Sequence, residues 1–363
     1  MNKVISIIKD IKKISSTNVP KTVFWAIINH CNAVCTTCNF YHTPKSIWKY
    51  VKFEEAKKAI DILYENDFRM ISITGGEPLM NPDFFSICNY IKEKNMIITY
   101  VPTNGILITP DIASKLKDAE VRLMGISIDI NDGKGMGLTR KIPNLFDIVK
   151  NARECLENKN IKTYAGILIT KSTLDISKIL ELVRDLGFKR IIFSYPQLYQ
   201  LSSYMAHNEM KDLILNVNEV RKLVEEIKYA KKKSDLSIHN PSISLDELAR
   251  FYNEIPRNFK CYGGSKLFYL DWNLNLYKCF TLPHTYGNIL QIKKIDFHDD
   301  PCDLCTQQAF RDHDPFYYLA STITESKALL FQGRIDLVVK LLAKKNTRQS
   351  ISALYELAKG DFI

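Results

Sequence analysis

Cys31, Cys35 and Cys38 place three thiols within eight residues, at the end of an apolar run from Thr22 to Ile28. That spacing lets three sulfurs take three corners of an iron–sulfur cubane and leaves the fourth iron without a protein ligand. A structural metal site normally closes its shell with four ligands, so an open position points to chemistry rather than scaffolding. Two other readings fit the same residues: a chance cluster, or three-quarters of a zinc site completed by His30 or His42.

A second stretch follows one strand–helix unit later. Ile71 to Thr74 reads as a short apolar strand running into Gly75, Gly76, Glu77 and Pro78. Paired glycines let the backbone approach a ligand closely, and Glu77 adds a carboxylate suited to an ammonium group. Alone, the four residues read as a strand-to-helix turn with Pro opening the next segment. Their place after the cysteine loop strengthens the ligand reading.

With these two motifs, the chain resembles the radical S-adenosylmethionine (radical SAM) superfamily. The likeness covers the cysteine loop, the Gly-Gly-Glu-Pro turn and the strand–helix rhythm up to about Pro196. It implies that the open iron of a 4Fe–4S cluster is chelated by the methionyl amine and carboxylate of S-adenosylmethionine (SAM). An electron from a low-potential donor such as a flavodoxin or ferredoxin then cleaves the sulfonium, and the 5′-deoxyadenosyl radical abstracts a substrate hydrogen. The cofactor carries the difficult chemistry while the protein orients, tunes and excludes water. Thr37 stands where the family usually has an aromatic residue, which implies a changed adenine pocket rather than lost activity.

The bulk properties accommodate this. The chain has 363 residues, 46% hydrophobic and 25% charged, enough for a barrel-sized domain and something smaller. Its net charge of +10 raises nucleic acid or an anionic membrane as partners. The lysines are spread along helices and no nucleic-acid module appears, so nucleic acid is discounted. Nine cysteines without a secretory signal argue for a reducing compartment. No apolar run approaches the roughly 20 residues that span a bilayer, so the chain is expected to be cytoplasmic. Val4, Ile5, Ile7, Ile8, Ile11 and Ile14 recur at helical spacing among lysines. This amphipathic stretch either closes the barrel bottom or makes peripheral membrane contact.

From Thr22 to Pro196, strands and helices alternate. Strands are expected at Val23–Ile28, Arg69–Thr74, Ile97–Pro102, Arg122–Ile130, Thr163–Ile169 and Lys189–Tyr195, with helices between them. This implies right-handed βαβ units and a parallel sheet. The fold class expected is α/β: a partial (β/α)6 TIM-type barrel with a small C-terminal cysteine-rich extension and a helical tail. Parallel barrels carry reactive groups at the C-terminal ends of their strands. Asn104 follows the third strand; Ser127 and Asp129, two apart, share one face of the fourth. The resemblance assigns such positions to the SAM ribose hydroxyls and carboxylate, though Asn104 also suits a left-handed turn before Gly105. Tyr195 and Thr170 end later strands, where adenine or substrate would lie. Between Pro196 and Arg257 the rhythm gives way to longer helical patterns, with the Lys231–Lys233 run expected on a solvated helix end.

Cys261, Cys279, Cys302 and Cys305, at intervals of 17, 22 and 2 residues, form the other constellation. Four cysteines complete a tetrahedral shell for zinc or a fully ligated iron–sulfur cluster, and spacing does not choose between them. Tyr269 to Cys279 reads as a hairpin with an Asp/Asn-rich turn. The layout looks like the extension called SPASM, or its shorter relative the twitch domain, which implies one auxiliary 4Fe–4S cluster, with zinc as the alternative. Leu274 replaces the usual turn glycine, and no further cysteine follows Cys305 for a second auxiliary cluster. Cys88 and Cys155 read as small buried hydrophobes, and the histidines show no paired metal spacing.

The expected organisation is 1–20 amphipathic helix, 21–235 barrel core, 236–313 auxiliary-cluster domain and 314–363 tail of two helices. The leading function is a radical SAM enzyme acting on a peptide or protein side chain or a small molecule. A lipid- or isoprenoid-modifying enzyme at the membrane surface and a non-catalytic iron–sulfur or zinc protein are the alternatives.

Overall fold

A computed structural model describes residues 19–130, 133, 136–195, 214–292, 295, 297 and 302–360. The amphipathic stretch before Val19, the segment 196–213 with His207, and His298 lie outside the described residues.

Strand follows helix as the pattern predicts. Strands β1 (Lys21–Ala26), β2 (Phe68–Thr74), β3 (Ile97–Thr103), β4 (Leu123–Ser127), β5 (Lys162–Leu168) and β6 (Arg190–Ser194) are joined by α1 (Phe53–Glu65), α2 (Phe84–Glu93), α3 (Pro110–Asp118), α4 (Leu145–Glu157) and α5 (Ile176–Asp185). Helix α1 buries Ala56, Ala59, Ile60 and Leu63, one stripe at helical spacing. The helix starts are set locally: Thr109 accepts from Ile112 N–H at 3.2 Å ahead of Pro110, and Asp175 accepts from Lys178 N–H at 3.1 Å. Helix α6 (Val217–Lys233), strand β7 (Ser237–Ile238) and helix α7 (Ser242–Tyr252) follow. Of the Lys231–Lys233 run, Lys232 and Lys233 are exposed at the helix end, whereas the Lys231 ammonium pairs with Glu356 at 2.7 Å, its side chain only 11% exposed.

Strands β1 to β7 run parallel in sequence order and do not close, giving a partial TIM-type barrel. At the other edge, β8 (Leu267–Leu270) pairs parallel with β1, Thr22 opposite Leu267 and Trp25 opposite Leu270. The antiparallel strands β9 (Asn275–Tyr277) and β10 (Thr285–Asn288) extend the same sheet. Phe268, fully buried, packs edge-to-face on Phe68 of β2 at 5.1 Å between ring centres, so the extension shares the barrel's core. At the β8–β9 turn Leu274 takes φ +63°, the left-handed geometry a glycine would adopt. Asp271 holds it by accepting from Asn273 N–H and Asn275 N–H, both at 2.8 Å, while the Leu274 side chain is buried.

Two expectations are corrected. Strand β4 stops at Ser127 rather than Ile130. The tail holds three helices, not two: α8 (Asp314–Phe331), α9 (Ile335–Ala343) and α10 (Lys345–Lys359). Gly333, at φ +72°, ends the first of them, a conformation that stops helix propagation at little cost only for glycine. The Thr22 and Tyr317 hydroxyls, 2.7 Å apart, tie α8 to β1.

Because β8 is seated in the barrel's sheet, Phe268→Ala should cost about 3–5 kcal/mol of global stability. Hydrogen exchange should show reduced protection of the Lys21–Ala26 amides as well as those of β8. Unchanged protection in β1 would mean that the extension folds as an independent unit.

Candidate functional site

Seven of the nine cysteines share a local feature. Ala33 N–H reaches Cys31 Sγ at 3.4 Å, and Phe40 and Tyr41 backbone N–H groups point at Cys38. In the second group, Gly263 N–H meets Cys261 Sγ at 3.3 Å, and Thr281 and Leu282 N–H groups meet Cys279 Sγ at 3.4 and 3.3 Å. Leu304 and Gln307 donate likewise to Cys302 and Cys305. Arg140 Nη1 donates to Cys35 Sγ at 3.5 Å. Such donors favour thiolate over thiol and tune a metal bound to it. Cys88 and Cys155 differ: burial alone pushes Cys88 up, and Cys155 donates to Asn151 Oδ1. Among the described residues no three His, Cys, Asp or Glu side chains stand close enough in this conformation to clasp one metal ion. What marks the seven is their donors.

The first group sits where backbone meets backbone. Gly76 N–H donates to Ile28 O at 3.1 Å and Glu77 N–H to His30 O at 3.2 Å, fastening the turn after β2 to the loop that carries Cys31. A Cβ on Gly76 would stand 1.9 Å from His30 O, and one on Gly75 2.5 Å from Ile28 O, with Gly75 itself at φ +136°. The glycines therefore admit the cysteine loop. Pro78, buried, opens the short helical turn beyond. Glu77 is 1% exposed; its carboxylate accepts from Asn104 N–H at 2.8 Å and Thr103 Oγ1 at 3.0 Å, and burial pushes it up to about 7. Asn104 in turn directs its amide to Cys31 Sγ at 3.6 Å and Asn32 Oδ1 at 2.8 Å. Gly105, not Asn104, takes the left-handed conformation. Burial, then the Glu77 charge, raises the Cys31 thiol to about 12, and burial raises Cys38 to about 11, so metal loading here must displace protons.

Asp129 has a different place from the one expected. With β4 ending at Ser127, the two residues no longer alternate on one strand. The Asp129 carboxylate accepts from Thr139 Oγ1 at 2.9 Å and Arg140 N–H at 2.8 Å. It thereby pins the loop whose Lys141 N–H pairs with Val34 O at 2.7 Å and whose guanidinium reaches Cys35. Burial alone would lower the Arg140 pKa; the Cys35 and Asp129 charges hold it above its ordinary value. His30 stacks on Trp48 at 4.1 Å, and His42 is exposed.

One cavity of about 330 Å³ joins these parts. Cys31, Cys35, Cys38, Thr37, Gly75, Gly76, Glu77, Asn104, Ser127 and Arg140 line one side. Tyr195, Asp312, His239 and His313 also line the cavity, with the stacked pair Tyr100 and Tyr164, 5.3 Å apart. Thr170 is buried in a capping turn with Thr173. Asp312 Oδ2 accepts from Asn240 Nδ2 at 3.0 Å and from Gln308 Nε2; burial pushes its pKa to about 6 and that of His239 down to about 3. In the second group, Cys261 and Cys302 share a hydrogen bond that raises the one and lowers the other to about 6. The chain after Cys305 runs straight into the cavity wall, since Gln307, Gln308 and Asp312 line it.

Comparisons with known proteins follow this geometry. Residues 25–196 match the family model of the Radical SAM superfamily. An AdoMet-dependent heme synthase of Methanosarcina barkeri is 30% identical over 175 residues, 48% of this chain and 50% of that protein. The chain thus spans about half the length of the curated relatives it matches. The structure of Streptococcus suis SuiB bound to precursor peptide SuiA superposes with a TM-score of 0.58 at 13% identity, covering 80% of this chain and 68% of that one. Peptide- and AdoMet-bound anSMEcpe gives 0.58 at 19%, covering 75% and 78%. These structural likenesses show the fold alone.

Two outcomes test the site. Gly76→Ala should force the turn off the cysteine loop, so that less iron is incorporated on anaerobic reconstitution than in wild type. Undiminished iron would show that the contact is dispensable. Asp312, with a pKa raised from 3.8 to about 6 on folding, favours the folded state fully below its unfolded value and loses that contribution as pH rises through about 6. Asp312→Asn should therefore gain about 1–3 kcal/mol over wild type above pH 6 and nothing near pH 3. Urea melts across that range check the sign; a variant equally destabilised at both ends contradicts it.

Proposed function

We propose, from the match of residues 25–196 to the radical SAM family model, that this chain reductively cleaves SAM at a 4Fe–4S cluster held by Cys31, Cys35 and Cys38 and abstracts hydrogen from a substrate in the cavity. The observation that carries the reading is the Gly75–Glu77 turn bonded to the cysteine loop on the wall that holds all three thiols.

When bound, cluster and SAM supply the electron and the 5′-deoxyadenosyl radical. This chain's residues do the rest. The three thiolates hold the cluster, while Ala33 N–H, Asn104 Nδ2 and Arg140 Nη1 donate to Cys31 and Cys35 and moderate their charge. Gly75 and Gly76 present turn backbone to the methionyl group. Glu77, already tied to Thr103 and Asn104, fixes that turn and adds negative charge near the ammonium. Thr37 would hold the adenine and Ser127 the ribose. Asp129 acts through the loop that delivers Arg140. The aromatic wall of Tyr100, Tyr164 and Tyr195 excludes water from the radical's path.

Cavities that enclose one drug-sized ligand start at about 300 Å³. The proposed substrate is a peptide or protein side chain or a small molecule, set against Asp312, His239 and His313. Cys261, Cys279, Cys302 and Cys305 hold one auxiliary 4Fe–4S cluster, with zinc as the alternative. A flavodoxin or ferredoxin is the proposed electron donor.

Anaerobic reconstitution tests the reading. Iron near eight atoms per chain, with 5′-deoxyadenosine formed under dithionite, is expected. Cys35→Ala should abolish 5′-deoxyadenosine formation with the far-ultraviolet circular dichroism unchanged. Zinc in place of iron, or iron without SAM cleavage, supports a non-catalytic metal protein; turnover retained by Cys35→Ala means the chemistry lies elsewhere.

A further inference from the structure

Helix α9 carries two apolar stripes where a packed helix needs one. Val338 and Leu341 are buried where α9 packs on α8 and α10. Ile335, Val339 and Leu342, at positions i, i+4 and i+7, form a second stripe that is 63%, 61% and 47% exposed. At the end of α8, Leu330 and Phe331 continue it; Phe331 is 93% exposed. Scattered exposed apolar side chains are ordinary, but a continuous apolar stripe on one helix marks a contact surface.

The charge around the stripe says what kind. Lys327, Arg334, Lys340, Lys344, Lys345 and Arg348 are all exposed there. The acids in the same span are Glu325 and Asp336, and Asp336 is already paired with Arg334 at 3.5 Å. A second copy of this face would bring the same cations against one another. Residues 1–18 hold Lys3, Lys9, Lys12 and Lys13 against Asp10, so they too are like-charged with it. Nucleic acid is a poor match, because the centre of the face is mostly aliphatic and lacks the aromatic platforms on which bases stack.

We propose that the outer face of α8 and α9 docks on an anionic lipid bilayer, with Phe331, Ile335, Val339 and Leu342 entering the headgroup–acyl boundary and Lys327, Lys340, Lys344, Lys345 and Arg348 meeting lipid phosphates. Apolar burial and attraction to anionic lipid act together at such a face. With no helix among the described residues long and apolar enough to cross a membrane, the contact is interfacial. It does not depend on the iron chemistry, since none of these residues lines the cavity.

Flotation of the reconstituted full-length protein with vesicles of phosphatidylcholine alone, or with 30% phosphatidylglycerol, tests the proposal. Binding to the anionic vesicles should be at least about tenfold tighter and should weaken with salt. Phe331→Ser with Val339→Ser should cost about tenfold at low and high salt alike, and Lys340→Gln with Lys344→Gln and Lys345→Gln should cost about as much at low salt and flatten the salt dependence. All five positions are exposed, so circular dichroism should show an unchanged fold. The proposal is overturned if anionic vesicles are not bound, if both sets of substitutions leave binding intact, or if deleting residues 1–18 alone abolishes it. Sedimentation showing a dimer that Phe331→Ser with Val339→Ser dissociates, without vesicle binding, would assign the face to self-association instead.

Discussion

Two hydrogen bonds between bare backbone segments govern this molecule. Gly76 N–H to Ile28 O and Glu77 N–H to His30 O lock the end of β2 against the end of β1. The contact is so close that a single methyl group on Gly76 would overlap the His30 carbonyl. Because the two loops touch without side chains between them, the Cys31 thiol, the Glu77 carboxylate and the Asn104 amide come to stand on one wall. Parallel sheets place their loops together at the C-terminal edge in any case; the glycines convert that proximity into fixed registry.

A second consequence of topology concerns the extension. Strand β8 continues the barrel's sheet beyond β1, and the four cysteines around it are bonded to backbone N–H groups of their own loops. From Cys305 the chain passes through Gln307 and Gln308 to Asp312 and His313, back into the central cavity. The second cysteine group is therefore joined by a short stretch of chain to one wall of the first site. The wall is polar and buried, with Asp312 held by amides rather than by a cation, an arrangement suited to orienting a substrate group rather than to stabilising the fold.

Much of this was legible in the sequence, for physical reasons. Alternating apolar runs and capped helices mark the barrel because burial on both faces of a parallel sheet leaves a strong local pattern. The cysteine loop and the Gly75–Glu77 turn carry their chemistry in adjacent residues. What escaped is long-range. Arg140 lies in a loop with no motif, and only its bridge to the cysteine loop brings it to Cys35. The strand alternation expected at Asp129 runs two residues past the end of β4, where the carboxylate instead accepts from Thr139 and Arg140. His239, Asp312 and His313 are separated in sequence from the first site and converge only through the sheet's curvature. Leu274 shows the reverse: it takes a left-handed turn without the usual glycine because Asp271 binds the amides on either side of it, those of Asn273 and Asn275.

The account stands on a metal vertex left open for SAM beside the Gly75–Glu77 turn. The most direct measurement is pulsed electron–nuclear double resonance on the reduced, reconstituted protein with SAM labelled by nitrogen-15 and oxygen-17 in its methionyl group. Strong hyperfine coupling of both labels to the reduced cluster, lost in Cys35→Ala, is the predicted result. A reduced cluster in the intact protein that shows no coupling to either label would contradict it.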